Sequence, residues 1–261
     1  MIHALKVAVP LLLGMAVLGA WQWAVRHFDV AIFVLPAPSD IWGAFIGNFP
    51  SLMASLWTTL RITWIAFALA FVCGSALAIV FSQSRVAEMA LFPYAVVLQV
   101  TPVVAIAPII LIWVGYERIN VALVIIAFIV AFFPILSNMT LGLRSADTNL
   151  VDLFRLYGAS RLQRLARLQV PTALPLLLSA MKVSGGLALI GAVVAEFVAG
   201  SGTATGLAWR IVEAANRLQI AKMFAALALL SAVGILNFYV LSWLEFALLH
   251  RWHESALKRG T

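Results

Sequence analysis

At 261 residues, with 64% hydrophobic and only 10% charged residues, the chain lies far outside the composition of a soluble globular domain. A mean hydropathy of +1.06 excludes a water-soluble enzyme and points to an integral membrane protein. The net charge of +7 would suit nucleic acid, yet the basic residues form no stripe interleaved with aromatic stacking platforms.

Apolar runs approaching the roughly 20 residues needed to cross a bilayer lie at about 5–25, 57–81, 88–114, 120–142, 173–199 and 222–249. They predict an all-α, polytopic membrane protein with six transmembrane helices in a single domain covering residues 1–261. The first run follows Lys6 as a secretory signal would, but its length, and Leu18 ahead of Gly19 and Ala20, spoil a cleavage pattern, so it reads as a retained anchor. A lone cysteine, Cys73, allows no intrachain disulfide.

With the N-terminus inside, ten lysines and arginines (Lys6, Arg85, Arg144, Arg155, Arg161, Arg164, Arg167, Arg251, Lys258, Arg259) fall on the cytoplasmic side. Six (Arg26, Arg61, Arg118, Arg210, Arg217, Lys222) fall outside, and Lys182 lies within a span. That excess follows the positive-inside bias.

After the first span, Pro36 and Pro38 punctuate LPAPSDIW, and Ser39 or Asp40 is placed to cap a short interfacial helix from Ile41 to Phe49 with Trp42 at headgroup level. Arg61 enters the second span from the outer side, where it either meets an anionic substrate or snorkels outward. Pro93, Pro102 and Pro108 interrupt the third span, each removing a backbone donor, so they kink it or border a cavity. Glu88, beside Arg85 at an inner boundary, reads as structural.

Between the fourth and fifth spans, residues 147–171 form a cytoplasmic loop carrying Arg155, Arg161, Arg164 and Arg167. At 100° per residue, Leu153, Phe154, Leu156 and Tyr157 share one side of a short helix and Asp152 and Arg155 the other. Gly158 ends that helix, Ser160 caps the next, and Pro171 breaks the second helix before the fifth span. Two short helices meeting at a glycine turn suit docking into a partner's groove. The other reading of Arg161, Arg164 and Arg167 is that they hold the loop inside and bind anionic headgroups.

In the fifth span, Ala180, Ser184, Ala188 and Ala192 recur every fourth residue, either crowding helices together or lining a pathway. Lys182 has a stem long enough to reach the inner interface or a carboxylate. Glu196, just before Gly200, Ser201 and Gly202, is placed to pair with Arg210 or Arg61, as a structural bridge or at a gate. His250 and His253 in HRWH have no carboxylate or cysteine companion, so they read as interfacial with Trp252, and no metal site is expected. HExxH, a nucleophile elbow and a phosphate-binding G-x-x-x-x-G-K-[ST] loop are all missing from the sequence.

DLFRLYGASRLQRLARLQVP resembles the cytoplasmic signature of ABC importer permeases: Glu-Ala-Ala, three residues, Gly, nine residues, Ile, any residue, Leu-Pro. Asp152, Leu153 and Phe154 stand at the Glu-Ala-Ala positions, Gly158 at the glycine, and Leu168, Val170 and Pro171 at the end, with the spacing kept and several identities changed. LPAPSDIW, TLRITW, FPILSN, LGLRSADTNL, YGASRLQ, VPTALPLLLSAMKV and GAVVAEFVAGSGTATGL are similar to the nitrate, sulfonate, taurine and bicarbonate branch of these permeases.

The resemblance implies a coupling loop whose Asp152, Leu153, Phe154, Gly158, Ala159, Arg161 and Pro171 dock on a separate ATPase dimer. That ATPase binds ATP and magnesium, and this chain holds no cofactor. The resemblance also implies a second permease copy in a homodimer, an external solute-binding protein, and residence in the bacterial cytoplasmic membrane. Arg61, Pro102, Ser184 and Glu196 are the pathway candidates. The expected function is import of a small polar or anionic nutrient. The alternatives are a heterocyclic nutrient such as a pyrimidine or vitamin precursor, and a self-sufficient secondary transporter, which would call for internal repeats and charged midplane relays that are not evident.

Overall fold

The computed structural model describes the backbone of residues 2–199 and 205–249, with side chains from residue 8 onward. Among these residues every regular element is helical. In chain order they are α1 (Ile2–His27), α2 (Pro38–Gly47), α3 (Phe49–Gln83), α4 (Arg85–Val100), α5 (Val103–Val114), α6 (Ile119–Arg144), α7 (Thr148–Leu156), α8 (Arg161–Arg164), α9 (Val170–Ala199), α10 (Leu207–Asn216) and α11 (Ile220–Leu249). A 3₁₀ turn at Tyr116–Arg118 leads into α6, and a π-helical turn at Leu165–Gln169 joins α8 to α9.

Among the described residues, five continuous helical stretches are long and apolar enough to span a membrane: Ala8–His27, Phe49–Gln83, Tyr116–Arg144, Arg161–Ala199 and Ile220–Leu249. The expected third span is instead a broken pair, α4 and α5, bent by 103°. The break falls at Pro102 for a local reason: a proline pushes the residue before it out of the helical region. Thr101 accordingly takes φ −69° and ψ 125°. Pro93 and Pro108 stay inside α4 and α5.

The pair still carries the chain across. Glu88, in the first turn of α4, bonds Arg144 at the last turn of α6. The end of α5 leads through Gly115 and the 3₁₀ turn into the start of α6. Thus α4 and α5 together pass from one end of α6 to the other, over about 39 Å at 1.5 Å per residue, and count as one bent crossing.

The fifth span differs as well. Pro171 does not break the helix, which runs on from Arg161 to Ala199. The Val170 N–H donates to the Leu165 carbonyl, five residues back. This wider turn ends just ahead of the proline, where an ordinary helical bond would be lost anyway.

The chain divides into two compact units, Met1–Thr58 with Thr205–Ser231, and Thr59–Ala204 with Ala232–Thr261. In the first, Leu52, Leu207, Ala225 and Ala226 form the core with Ile41 and Phe45 against them. α1 and α2 are tied by Arg26–Asp40 at 2.7 Å and by reciprocal Gln22–Ser39 hydrogen bonds. The N-cap position of α2 is Ala37, so neither Ser39 nor Asp40 occupies it. Pro38 opens that helix, and Asp40, a turn in, accepts from the Ala37 N–H at 3.2 Å.

The second unit is built on α6 and α9, packed antiparallel. A Cβ at Gly142 would lie 2.8 Å from the Ala173 Cα, and one at Gly191 2.8 Å from the Ala127 Cα, so small residues let the two backbones touch at both ends. One apolar cluster gathers around the Ala131–Leu143 end of α6 with Leu165 to Ala188. Another gathers around the Ile119–Ala127 end with Ile62, Ala107 and Ala192 to Ala199.

Candidate coupling element and buried polar residues

The 147–171 element is built from local bonds. The Asp147 carboxylate accepts from the Asn149 N–H at 2.8 Å and starts α7. At the other end the Ala159 N–H donates to the Phe154 carbonyl and the Gly158 N–H to the Arg155 carbonyl, both at 2.9 Å. This is the two-bond closure that a left-handed residue makes possible. Gly158, at φ +68°, supplies it. Ser160 then accepts from the Gln163 N–H at 3.2 Å while Gln163 accepts from the Ser160 N–H at 2.8 Å, opening the second helix with a reciprocal cap.

The elbow has one anchored side. Leu165 and Leu168 are buried, whereas Leu156 and Tyr157 are 84% and 83% exposed and Leu153 and Leu162 are also exposed. A surface cavity of about 450 Å³ is lined by Leu153, Phe154, Tyr157, Gly158, Ala159, Gln163 and Arg167. Asp152 pairs with Arg155 at 3.0 Å in the open, a pair of little energetic weight. Arg161 and Pro171 are exposed, and Arg164 is half-buried. The seven expected coupling residues thus sit on one continuous elbow whose second arm is the same helix as the fifth span.

The four pathway candidates are placed apart. Pro102 is exposed at the bend. Ser184 is buried, its hydroxyl donating to the Ala131 carbonyl in the α6–α9 seam. Ala180, Ala188 and Ala192 are buried in the same stripe. Glu196 is fully buried and accepts from Thr59 Oγ1 at 2.7 Å, and Thr63 donates to the Thr59 carbonyl at 2.8 Å. Twelve residues, about 18 Å of helix, separate Ser184 from Glu196. Arg61 is exposed, two residues beyond Thr59 and so on nearly the opposite face of α3. Arg210, the other expected partner of Glu196, bonds Glu213 at 2.7 Å and the buried Ser55 Oγ at 2.9 Å.

Other charges pair where sequence reasoning saw one half only. Lys182 Nζ meets Glu245 Oε2 at 2.6 Å. Glu245 was missed, although it is the one acidic residue in the last apolar run and so stands out against Lys182. Glu213 was missed too. It is held by Arg210 and, at 3.1 Å, by Arg217. The Arg210 hydrogen bond, reinforced by the charges of Arg210, Arg217 and Lys222, keeps its carboxyl below the usual glutamate range, against the opposing effect of burial. Among the described residues no metal-competent cluster occurs. His250, His253 and the Gly200–Ser201–Gly202 run lie outside the described residues.

Residues 66–250 match the family described as the binding-protein-dependent transport system inner membrane component. The chain belongs to this family. The permease is 35% identical over 245 residues to the riboflavin transport system permease protein RibX of Chloroflexus aurantiacus, covering 92% of this chain and 88% of the relative. It is 30% identical over 251 residues to the putative aliphatic sulfonates transport permease protein SsuC of Bacillus subtilis, covering 94% and 87%. Its fold is similar to that of the MetNI methionine ABC transporter solved in inward-facing conformations, with a TM-score of 0.65 at 19% identity over 77% of this chain and 97% of that one. The permease is therefore a multi-pass inner-membrane transport subunit, all-helical as expected from its sequence.

Proposed function

We propose that the permease forms half of the translocation pathway of an ATP-driven importer, and that residues 147–171 are where a separate ATPase grips it. The supporting observation is the elbow: two helices locked by Gly158 and by the Ser160–Gln163 cap, Leu156 and Tyr157 turned to solvent, and the second arm continuous with the fifth span. A push on Leu162 acts directly on the helix that becomes α9, one on Tyr157 reaches it through the locked Gly158 turn, and α9 is packed against α6 along its length. ATP and magnesium bind the ATPase dimer, a second permease copy completes the pathway, and a solute-binding protein delivers cargo.

The cargo in this reading is a small polar or anionic nutrient, supported by the sulfonate permease relative. A heterocyclic nutrient is the second reading, favoured by the 35% identity to the riboflavin permease. Identifying the ligand that co-purifies with the cognate binding protein separates the two. The coupling reading is tested in proteoliposomes holding permease and ATPase. Replacing Leu156 and Tyr157 by serine should leave insertion intact and abolish transport-coupled ATP hydrolysis, whereas unchanged coupling would contradict it.

A further inference from the structure

A cavity of about 820 Å³ opens where α3 ends, α4 begins and α6 ends, and nothing in the coupling reading uses it. Its polar wall carries Arg85 and Arg144, and its apolar wall Met89, Phe92 and Pro93. Arg144 is engaged by Glu88. Arg85 is exposed and forms no ion pair among the described residues, so the two arginines and one glutamate leave the pocket one positive charge in excess. All three helices are membrane spans or part of the bent crossing, and the cavity sits at their ends.

A second observation points outward from this pocket. α4 is exposed over most of its surface, and within it Val86, Met89, Pro93, Val97 and Val100 form an apolar line, lying within an arc of about 80° at 100° per residue. The stripe begins beside Arg85 and runs for about 21 Å at 1.5 Å per residue. Half the hydrocarbon core is about 15 Å, so the stripe is long enough to hold an acyl chain.

We propose that this pocket and stripe bind an anionic phospholipid, its phosphate between the Arg85 and Arg144 guanidinium groups and one acyl chain along the exposed face of α4. Guanidinium groups carry several donors in a planar fork that matches phosphate oxygens. A second copy of the chain is the poorer occupant of this pocket, because it would bury Arg85 without a counter-charge. The inference rests on α3, α4 and α6 being membrane-spanning and is independent of what the coupling element grips.

The test uses the full-length permease in nanodiscs of mixed phosphatidylglycerol and phosphatidylcholine, with native mass spectrometry reading the lipids retained on release. The wild type should retain phosphatidylglycerol selectively. Arg85→Gln should lower that retention about fivefold, the equivalent of about 1 kcal/mol for one basic residue at an anionic surface. Arg118→Gln, the same charge change at the opposite end of α6, should not. Added inorganic phosphate or glycerol phosphate at millimolar concentration should fail to displace the lipid. Equal losses in both variants, no loss in Arg85→Gln, or displacement by inorganic phosphate alone would each overturn the proposal.

Discussion

Lys182 on α9 and Glu245 on α11 meet at 2.6 Å with 15% and 13% of their side chains exposed, forming a largely buried ion pair that joins two membrane spans. Nearby, Asn237 donates to the Gly185 carbonyl at 3.1 Å, so the same two helices share a second polar tie. Each charge alone would be costly in hydrocarbon, and each is tolerated because the other is present.

Removing one partner is therefore expected to hurt more than removing both. Lys182→Met leaves a largely buried Glu245 uncompensated, a loss of up to about 3 kcal/mol, the lower end of the range for fully buried pairs. Lys182→Met with Glu245→Leu should recover most of that stability, measured as resistance to unfolding in detergent. A double variant as unstable as the single would show that the pair is not what the helices share.

Two glycines on α9 should answer oppositely to alanine. At Gly191 the added Cβ would press on the Ala127 backbone, which cannot step aside, and overpacking of this kind costs about 1–3 kcal/mol. A Cβ added at Gly186 would meet no packed neighbour within 4 Å, so alanine should be neutral or stabilise the helix by up to about 1 kcal/mol. Thermal unfolding of the two variants in the same detergent decides it, and similar midpoints would contradict the close α6–α9 seam.

Gly158→Val should insert normally yet lose transport-coupled ATP hydrolysis, because a β-branched residue is strained at φ +68° although the space around it is open. Gly158→Asn, which tolerates that conformation better, should retain part of the coupling. Identical behaviour of the two variants would separate the loss from backbone conformation.

The depressed pKa of Glu213 gives a sign for pH. Its ion pair with Arg210 contributes stability that is fully present above the ordinary glutamate value of 4.5 and disappears as pH falls through the lower folded-state value. Hydrogen exchange across α10 should accordingly rise on acidification below about that pH in the wild type, whereas Glu213→Gln should lack this component. An identical acid response in the variant would assign the effect to other groups.

What was legible in the sequence was mostly local. Gly158 and Ser160 announce their turn because a left-handed residue and a cap act within a few positions of themselves, whereas the Gln163 half of the reciprocal cap was not singled out. The prolines show the limit of that logic: Pro102 breaks its helix, Pro93 and Pro108 do not, and Pro171 is absorbed by a π-helical turn at Leu165–Gln169. Which outcome each takes depends on packing that spacing does not encode. Ser39 and Asp40 stand two and three residues inside the N-cap Ala37; Asp40 still bonds the Ala37 N–H, but both also tie α2 to α1 through Gln22 and Arg26, which local spacing does not reveal. Glu245 was hidden because its partner Lys182 lies 63 residues away, so neither position alone reveals a pair.

The most direct measurement is uptake by proteoliposomes holding the permease with its binding protein and ATP, with and without the ATPase chain. Cargo should accumulate against its gradient only when the ATPase is present. Uphill accumulation by the permease without it would contradict the reading of residues 147–171 as the grip of a separate motor.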